Sequence, residues 1–150
     1  MTASRGLPLR LAAAVVISNP EHQVLLARRS RMVDEYAGMW SFPSSFIETG
    51  TPGDQIPRIM AGKVASWLGL SLPSLELLKV RDGIRAAWRL RMYLYGAVSL
   101  QAPLLLTAKY DAVRWVDGPA FFRHCDPVTL GDCSKAYLEY LDEREKVLTR

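Results

Sequence analysis

Apolar and polar positions recur along the chain with two periods, one typical of strands and one of helices. A nearly continuous apolar run, LRLAAAVVIS over Leu9–Ser18, predicts a strand that is covered on both faces. A turn at residues 19–22 leads to a second strand at residues 24–28. Further strands are predicted at residues 40–43, 75–80, 84–98 and 110–116.

Helical spacing of apolar residues predicts a helix that begins near residues 55–57. Pro57 suits the first turn, Asp54 is the expected N-cap, and Gly69 is the expected stop. A C-terminal helix is predicted over residues 134–149. The apolar positions of the first helix are Ile56, Ile59, Met60, Val64, Trp67 and Leu68.

The predicted strand at residues 84–98 alternates with a period of two. Residues 81–83 read as the turn before it, and residues 44–53 as an irregular loop. One face of the strand is apolar, whereas the other carries arginines and tyrosines. The second face fits anion binding as well as it fits the alternative, a solvated surface or a homodimer contact. The polar face includes Arg85, Arg89, Arg91, Tyr93 and Tyr95.

Composition places the chain among globular proteins, because 49% of its 150 residues are hydrophobic and 23% are charged. We expect one domain over residues 1–150, with a core at about residues 9–118 and the C-terminal helix outside it. The net charge of +4 suits an anionic small molecule, whereas the lack of a Lys/Arg block makes nucleic acid an unlikely partner. The two cysteines, Cys125 and Cys133, are expected to be free thiols.

The sequence contains no apolar run of about 18 residues, so no membrane span is expected. The apolar run near the start is followed at once by a turn and a second apolar strand. It is therefore better explained as a buried strand than as a signal peptide. With no convincing targeting segment, we expect a cytoplasmic protein.

Five short motifs occur in a fixed order, VLLARR at 24–29, GMWSFP at 38–43, IETG at 47–50, LGL at 68–70 and YDAVRWV at 110–116. Their order and spacing resemble those of the Nudix hydrolases. The resemblance covers roughly residues 10–118. It implies an α/β class with an α/β/α sandwich around a mixed sheet.

The same segment departs from the catalytic signature of that family. The family box, Gly-x5-Glu-x7-Arg-Glu-hydrophobic-x-Glu-Glu-x-Gly, supplies helical carboxylates that hold Mg²⁺ or Mn²⁺ and activate water. Counting back from Gly69 places Lys63, Ser66 and Trp67 where the box has glutamates. Between residues 51 and 70 the only acid is Asp54, before the helix. No metal ligands and no cofactor are therefore expected.

Two acids have counterparts in the family pattern, Glu48 in the loop before the helix and Asp111 on the last predicted strand. Both are candidate catalytic groups, by general acid or base chemistry. Solvated or structural roles are the alternative for every one of these side chains, and core filling for Trp67. The candidate ligand-binding residues are Arg28, Arg29, Trp40, Phe42, Lys63, Trp67, Arg89, Arg91 and Tyr93.

The sequence favours a metal-independent enzyme that acts on a small anionic or aromatic metabolite in a specialised pathway. The alternative is a non-catalytic Nudix-like module that binds a nucleotide or another anion. A conventional Mg²⁺-dependent diphosphate hydrolase ranks third, because the helical carboxylates are missing. A cleft in which Glu48 or Asp111 is buried near a second titratable group would favour the enzyme. A cleft that is filled by Trp67, or lined by arginines with no buried acid, would favour a binding or scaffold role.

Overall fold

The computed structural model describes residues 6–32, 36–124 and 127–148, with side chains except at residues 123, 124 and 127–130. Its secondary structure comprises seven strands, one 3₁₀ turn and three helices. The strands are β1 (Leu9–Ser18), β2 (Gln23–Arg29), β3 (Trp40–Ser41), β4 (Ser44–Ile47), β5 (Glu76–Ile84), β6 (Arg89–Val98) and β7 (Tyr110–Asp117). The helices are α1 (Ile56–Leu68), α2 (Gly118–His124) and α3 (Pro127–Leu148).

The strands form one mixed sheet in the order β3-β2-β1-β6-β5, with β4 also paired to β1 and β7 to β2. Strand β1 runs parallel to β6 along its whole length, and the other pairs are antiparallel. On its other edge β1 pairs with β4 over residues 11–14 and with β2 only at Ser18. The strands β2, β3 and β7 therefore diverge from β1 beside β4.

Helices cover both faces of this sheet, which confirms the predicted α/β/α sandwich. Odd positions of β1, such as Val15, pack beneath α1, and even positions, such as Val16, pack beneath α2 and α3. Every side chain of residues 11–17 is buried, because the strand is covered on both faces. The helix α1 contributes Ile56, Met60, Val64 and Leu68 to the core.

The ends of α1 were predicted closely, except for its cap. Pro57 lies in the first turn and Gly69 ends the helix with φ 69°, as expected. The prediction of Asp54 as N-cap was wrong, because a 3₁₀ turn (Gly53–Gln55) precedes α1 and Gln55 occupies the cap position without a side-chain hydrogen bond. The N–H groups of Leu104 and Leu106 bond to carbonyls of the last turn of α1, at 2.8 and 3.0 Å.

Two predictions of turns and loops were wrong. Residues 81–83 belong to β5, and the turn lies at residues 85–88, where the Arg85 N–H donates to the Trp88 carbonyl. An ion pair between Asp82 and Arg91, directly opposite on β6, helps to continue the ladder through these residues. The segment predicted as a loop after Pro43 begins with β4, which pairs with β1 immediately after the proline.

The helix α3 has a break at Gly131, where φ is 75° and ψ is −162°. It therefore starts before the predicted residue 134, as two helical segments. Asp132 and two glutamates of α3 form ion pairs with basic residues at and beyond β5, which fixes α3 to that edge of the sheet. Among the described residues, none of the helices has the length and apolar character needed to cross a membrane.

Candidate functional site

Three basic side chains from distant parts of the chain converge beside α1, and we call Arg29, Lys63 and Lys109 the cationic cluster. Arg29 ends β2, Lys63 lies on α1, and Lys109 immediately precedes β7. The Nζ atom of Lys109 lies 3.5 Å from the ring centroid of Trp67, and that of Lys63 lies 5.8 Å from the same ring. Two lysine amines thus lie close to the Trp67 ring.

Local backbone geometry places the cluster. A register shift between Arg28 and Arg29 in the β2–β7 ladder sets Arg29 opposite Tyr110. Trp67 contacts the ring of Tyr110 edge-on at 5.7 Å between centroids. The Ser44 N–H donates to the Tyr110 hydroxyl at 3.0 Å, and Lys109 Nζ donates to the Ser44 carbonyl at 2.5 Å. The start of β4 is thereby fixed to the start of β7.

The electrostatics of the cluster are set by Lys109. Burial, followed by the positive charges of Arg29 and Lys63, lowers the pKa of Lys109 to about 7. Stacking on Trp67 opposes this by about 0.5–2 kcal/mol, because an aromatic face favours the charged ammonium. No carboxylate of the described residues forms an ion pair with Lys63 or Lys109. The pKa of the Lys109 amine therefore lies well below that of an ordinary lysine, so that part of it is neutral near pH 7.

A cavity of about 430 Å³ opens next to the cluster, and Arg29 and Lys109 line it. Its polar wall continues along β3 and β4 with Ser41, Ser44 and Ser45. On the opposite side it meets α3 at the Gly131 break. The apolar part of the wall is formed by Ala12, Met39, Phe46, Leu90 and Met92. The cavity can thus hold a ligand with an anionic end and an apolar body.

Two further titratable groups, Asp132 and Cys133, lie in the wall. Asp132 accepts from Arg81 at 3.4 Å and also pairs with Arg85. Cys133 forms no disulfide within the described residues, as expected, and burial raises the pKa of its thiol to about 11. A buried thiol of that kind is a poor nucleophile. Cys125 lies outside the described residues.

The two candidate catalytic acids do not meet in the structure. Glu48 follows β4, is exposed, and its carboxylate makes no hydrogen bond or ion pair with the described residues. Asp111 accepts from Arg28 Nε at 2.7 Å, and both side chains are about 40% exposed. Neither acid lines the cavity. The structure thus places no buried acid from the predicted set beside a second titratable group.

The predicted ligand-binding residues divide into those near the cavity and those away from it. Arg29 lines the cavity, and Lys63 and Trp67 lie behind Lys109. Trp40 is partly buried, with the guanidinium of Arg28 5.6 Å from its ring centroid.

Phe42 is buried in the core on the α3 side, where its ring lies 4.9 Å from that of Phe122. On β6, Arg91 pairs with Asp82, Arg89 donates to the Leu7 carbonyl at 3.2 Å, and Tyr93 packs on the α1-side core. None of these β6 residues lines the cavity.

The residue that sequence reasoning missed is Lys109. It lies just before the predicted last strand, with no acidic or aromatic pattern leading up to it. Only tertiary contact brings it to Trp67 and Arg29. The sequence does place Lys63 on the predicted helix, which indicates a positively charged site. It does not indicate that Lys109 belongs to that site.

The donor set on this face of α1 does not fit a hard divalent cation. The positions that carry glutamates in the family box are occupied by Lys63, Ser66 and Trp67, and Lys109 adds a further positive group. Among residues 6–32, 36–124 and 127–148, no group of three or more His, Cys, Asp or Glu side chains could hold a metal ion. Mg²⁺ prefers oxygen ligands, usually carboxylates, and ammonium groups repel it.

A second cavity, of about 610 Å³, lies at the other end of β1 between the sheet and α3. Val16, Leu78 and Leu141 form part of its apolar wall, with Glu76 and Arg144 near its polar part. It contains one cation and one acid rather than an excess of either charge. The smaller cavity is therefore the better candidate for an anionic ligand.

The fold is similar to those of several solved structures. The MutT protein from Methanosarcina mazei Go1 aligns with a TM-score of 0.75 at 15% identity, covering 98% of this chain and 100% of that chain. The MutT NUDIX hydrolase from Burkholderia pseudomallei gives 0.67 at 22% identity, covering 88% and 97%. The NUDIX domain of Shewanella oneidensis NrtR, solved complexed with ADP ribose, gives 0.65 at 21% identity, covering 93% and 89%. No protein-family model and no curated protein matches the sequence.

Proposed function

We propose that this chain, which has the Nudix fold, is a non-catalytic binding module for a small anionic metabolite. Fixed cations would hold the anion where Nudix hydrolases use metal ions. The observation that carries the proposal is the convergence of Arg29, Lys63 and Lys109 next to a cavity. No carboxylate of the described residues pairs with either lysine.

The energetics of Lys109 favour an anionic ligand. A partly buried ammonium beside two other cations is costly, and this cost is what lowers its pKa. A phosphate or carboxylate bound between Lys109 and Arg29 would reverse the effect and form charge-assisted hydrogen bonds. Ligand binding should therefore be accompanied by proton uptake near neutral pH.

The cavity also limits the size of the ligand. Its volume of about 430 Å³ is within the range of small-molecule sites, roughly 300–1,000 Å³. The apolar wall that includes Phe46 and Met92 suits an apolar or aromatic body next to the anionic group. ADP-ribose is a reasonable first nucleotide to test, because the NrtR domain was solved with it.

Calorimetric titration at pH 6.5 tests the proposal with inorganic pyrophosphate, ADP-ribose and uncharged adenosine, each with chelator present. We expect both anions to bind. ADP-ribose, whose phosphates stay fully ionised at this pH, should bind with proton uptake, measured from the dependence of the heat on buffer ionisation. Lys109→Met should weaken binding on the order of tenfold or more, because a charge-assisted hydrogen bond contributes about 1.5–3 kcal/mol. Lys146→Met removes one charge from the far end of α3 and is the matched control.

Binding of adenosine as tight as that of ADP-ribose would contradict the proposal. Equal losses in the Lys109→Met and Lys146→Met variants would contradict it as well, since they would indicate attraction to the net charge alone.

A metal-independent enzyme is the second candidate, and one observation favours it. An amine with a pKa of about 7 at a cavity wall can act as a general base or nucleophile at neutral pH. Conversion of a phosphorylated metabolite in the presence of chelator, abolished in Lys109→Met and retained in Lys146→Met, would favour the enzyme over the binding module.

A further inference from the structure

The Lys109 amine is held in one place at the boundary between the cluster and the cavity. Its Nζ donates to the Ser44 carbonyl at 2.5 Å and lies 3.5 Å from the Trp67 ring centroid and 5.4 Å from that of Tyr110. The same side chain lines the cavity. A ligand in the cavity therefore meets an amine whose position is fixed by an aromatic ring on one side and a backbone carbonyl on another.

We propose that Lys109 forms a reversible imine with a small aldehyde or ketone that carries an anionic group and occupies the cavity. This inference rests on the proposed function, because the anionic group would be bound by Arg29, a member of the cationic cluster. It goes beyond that function by naming a carbonyl as the second feature of the ligand and a covalent bond as the mode of capture.

The reaction needs no oxidant, metal or cofactor. The lone pair of neutral Nζ attacks the carbonyl carbon and forms a C–N bond while the carbonyl π bond opens to a hydroxyl. The carbinolamine then loses that oxygen as water, which takes both amine hydrogens, and leaves a C=N bond. Hydrolysis reverses each step and returns the amine and the carbonyl compound unchanged.

The neighbours of Lys109 suit it to this reaction better than those of Lys79. Burial and the charges of Arg29 and Lys63 favour the neutral amine that the attack requires, and together they outweigh the Trp67 ring, which favours the ammonium form. Lys79 is the opposite case, because its hydrogen bond to Glu143 raises its pKa. Lys135 also lines the cavity but does not belong to the cationic cluster. It is therefore an internal reference, a lysine that the same ligand can reach.

The position of the anionic group decides whether the amine stays reactive. An anion placed directly on Nζ would favour the ammonium form and suppress attack. An anion placed on Arg29, with the carbonyl toward Lys109, leaves the amine available. The ligand should therefore have its carbonyl a short distance from its charged group, as in small phosphorylated aldehydes.

Reductive trapping tests the inference on the intact chain. The protein is incubated at pH 7 with glycolaldehyde phosphate or uncharged glycolaldehyde, reduced with cyanoborohydride, digested and mapped by mass spectrometry. We expect Lys109 to be labelled on the order of tenfold faster than Lys135 or Lys146, because its environment favours the neutral amine. The phosphorylated aldehyde should label Lys109 faster than the uncharged one, and inorganic pyrophosphate should slow this labelling.

Labelling spread evenly over the five lysines of the chain, or centred on Lys135, would overturn the inference. Equal rates with both aldehydes at Lys109 would overturn the requirement for an anionic group. Lys109→Arg retains the positive charge but cannot form a neutral-amine imine, so it separates the two proposals. Pyrophosphate binding by this variant, together with no trapping in the unmodified chain, would refute the imine and leave the binding function standing.

Discussion

Lys109 lowers the stability of the fold below neutral pH. Its pKa falls from 10.5 in the unfolded chain to about 7 in the folded state, mainly through burial. Between these two values the unfolded state binds a proton that the folded state does not, so stability rises with pH over this range. Below about pH 7 both states are protonated, and the cost of the buried charge is fully present.

Lys109→Met should therefore stabilise the protein, and more so at pH 6 than at pH 9. We expect a gain of ~1–3 kcal/mol at pH 6 in urea unfolding, since part of the shift is screened by solvent and the bond to Ser44 is lost. The gain should shrink as the pH approaches 10. A gain independent of pH would contradict the assignment of the effect to the charge. Lys146→Met should show no comparable trend.

Sulfate provides a second test at the same residue, because it does not titrate between pH 5 and 9. Its affinity should fall by at most about tenfold per pH unit above pH 7, as Lys109 loses its proton. Lys109→Arg should bind sulfate with little pH dependence over this range, because arginine stays charged. A parallel fall in both proteins, measured by calorimetry, would assign the titrating group to another residue.

At the level of single elements, α1 contains two glycines in contrasting backbone positions. Gly62 lies inside the helix, is exposed, and has nothing within 4 Å of an added Cβ. Gly69 ends the helix with φ 69°, and an added Cβ would lie 3.3 Å from Leu106 Cδ1. The same substitution should therefore have opposite signs at the two positions.

Gly62→Ala should stabilise the protein by about 0.5–1 kcal/mol, because alanine loses less backbone entropy in a helix. Gly69→Ala should destabilise it by about 1 kcal/mol, because the left-handed conformation disfavours a side chain with a Cβ. Thermal unfolding of both variants checks the pair. Two shifts of the same sign would show that α1 ends elsewhere.

The contact between α3 and the edge of the sheet gives a second prediction at this scale. The Asp132 side chain is only 11% exposed and pairs with both Arg81 and Arg85. Asp132→Asn should cost about 1–3 kcal/mol, because two guanidinium groups lose the partly buried negative charge that they share. Asp82→Asn removes an ion pair whose acid is 65% exposed and should cost less than about 1 kcal/mol. Urea unfolding of both variants gives the comparison.

Elements with a strong local pattern were predicted from the sequence. The bounds of β1 follow from an apolar run covered on both faces, and those of α1 from its spacing, Pro57 and Gly69. Strand β4 was missed because it begins immediately after Pro43, where a loop with glycines was expected. The end of β5 was misplaced because Asp82 and Gly83 resemble a turn, whereas cross-strand pairing extends the ladder through them.

At the scale of the whole molecule, the candidate site was predicted only in part. Arg29, Lys63 and Trp67 were named from the family pattern, but their meeting with Lys109 depends on segments far apart in the chain. The periodicity of apolar residues along the chain does not predict contacts between segments that are far apart in sequence. A homodimer stays a prediction. The strand β5 lies at the end of the sheet order and exposes Val80 and Ile84, so it is where such a contact would form.

The pairing of β1 with a strand far along the chain has a consequence for synthesis on the ribosome. Leu9 lies opposite Arg89, so one edge of β1 stays unpaired until β6 has emerged. Its other edge acquires β4 earlier, over residues 11–14. We expect slow, late closure of the sheet, because distant pairing carries a large loop entropy. During that interval the most apolar strand of the chain is exposed to aggregation, and a chaperone would act most effectively there.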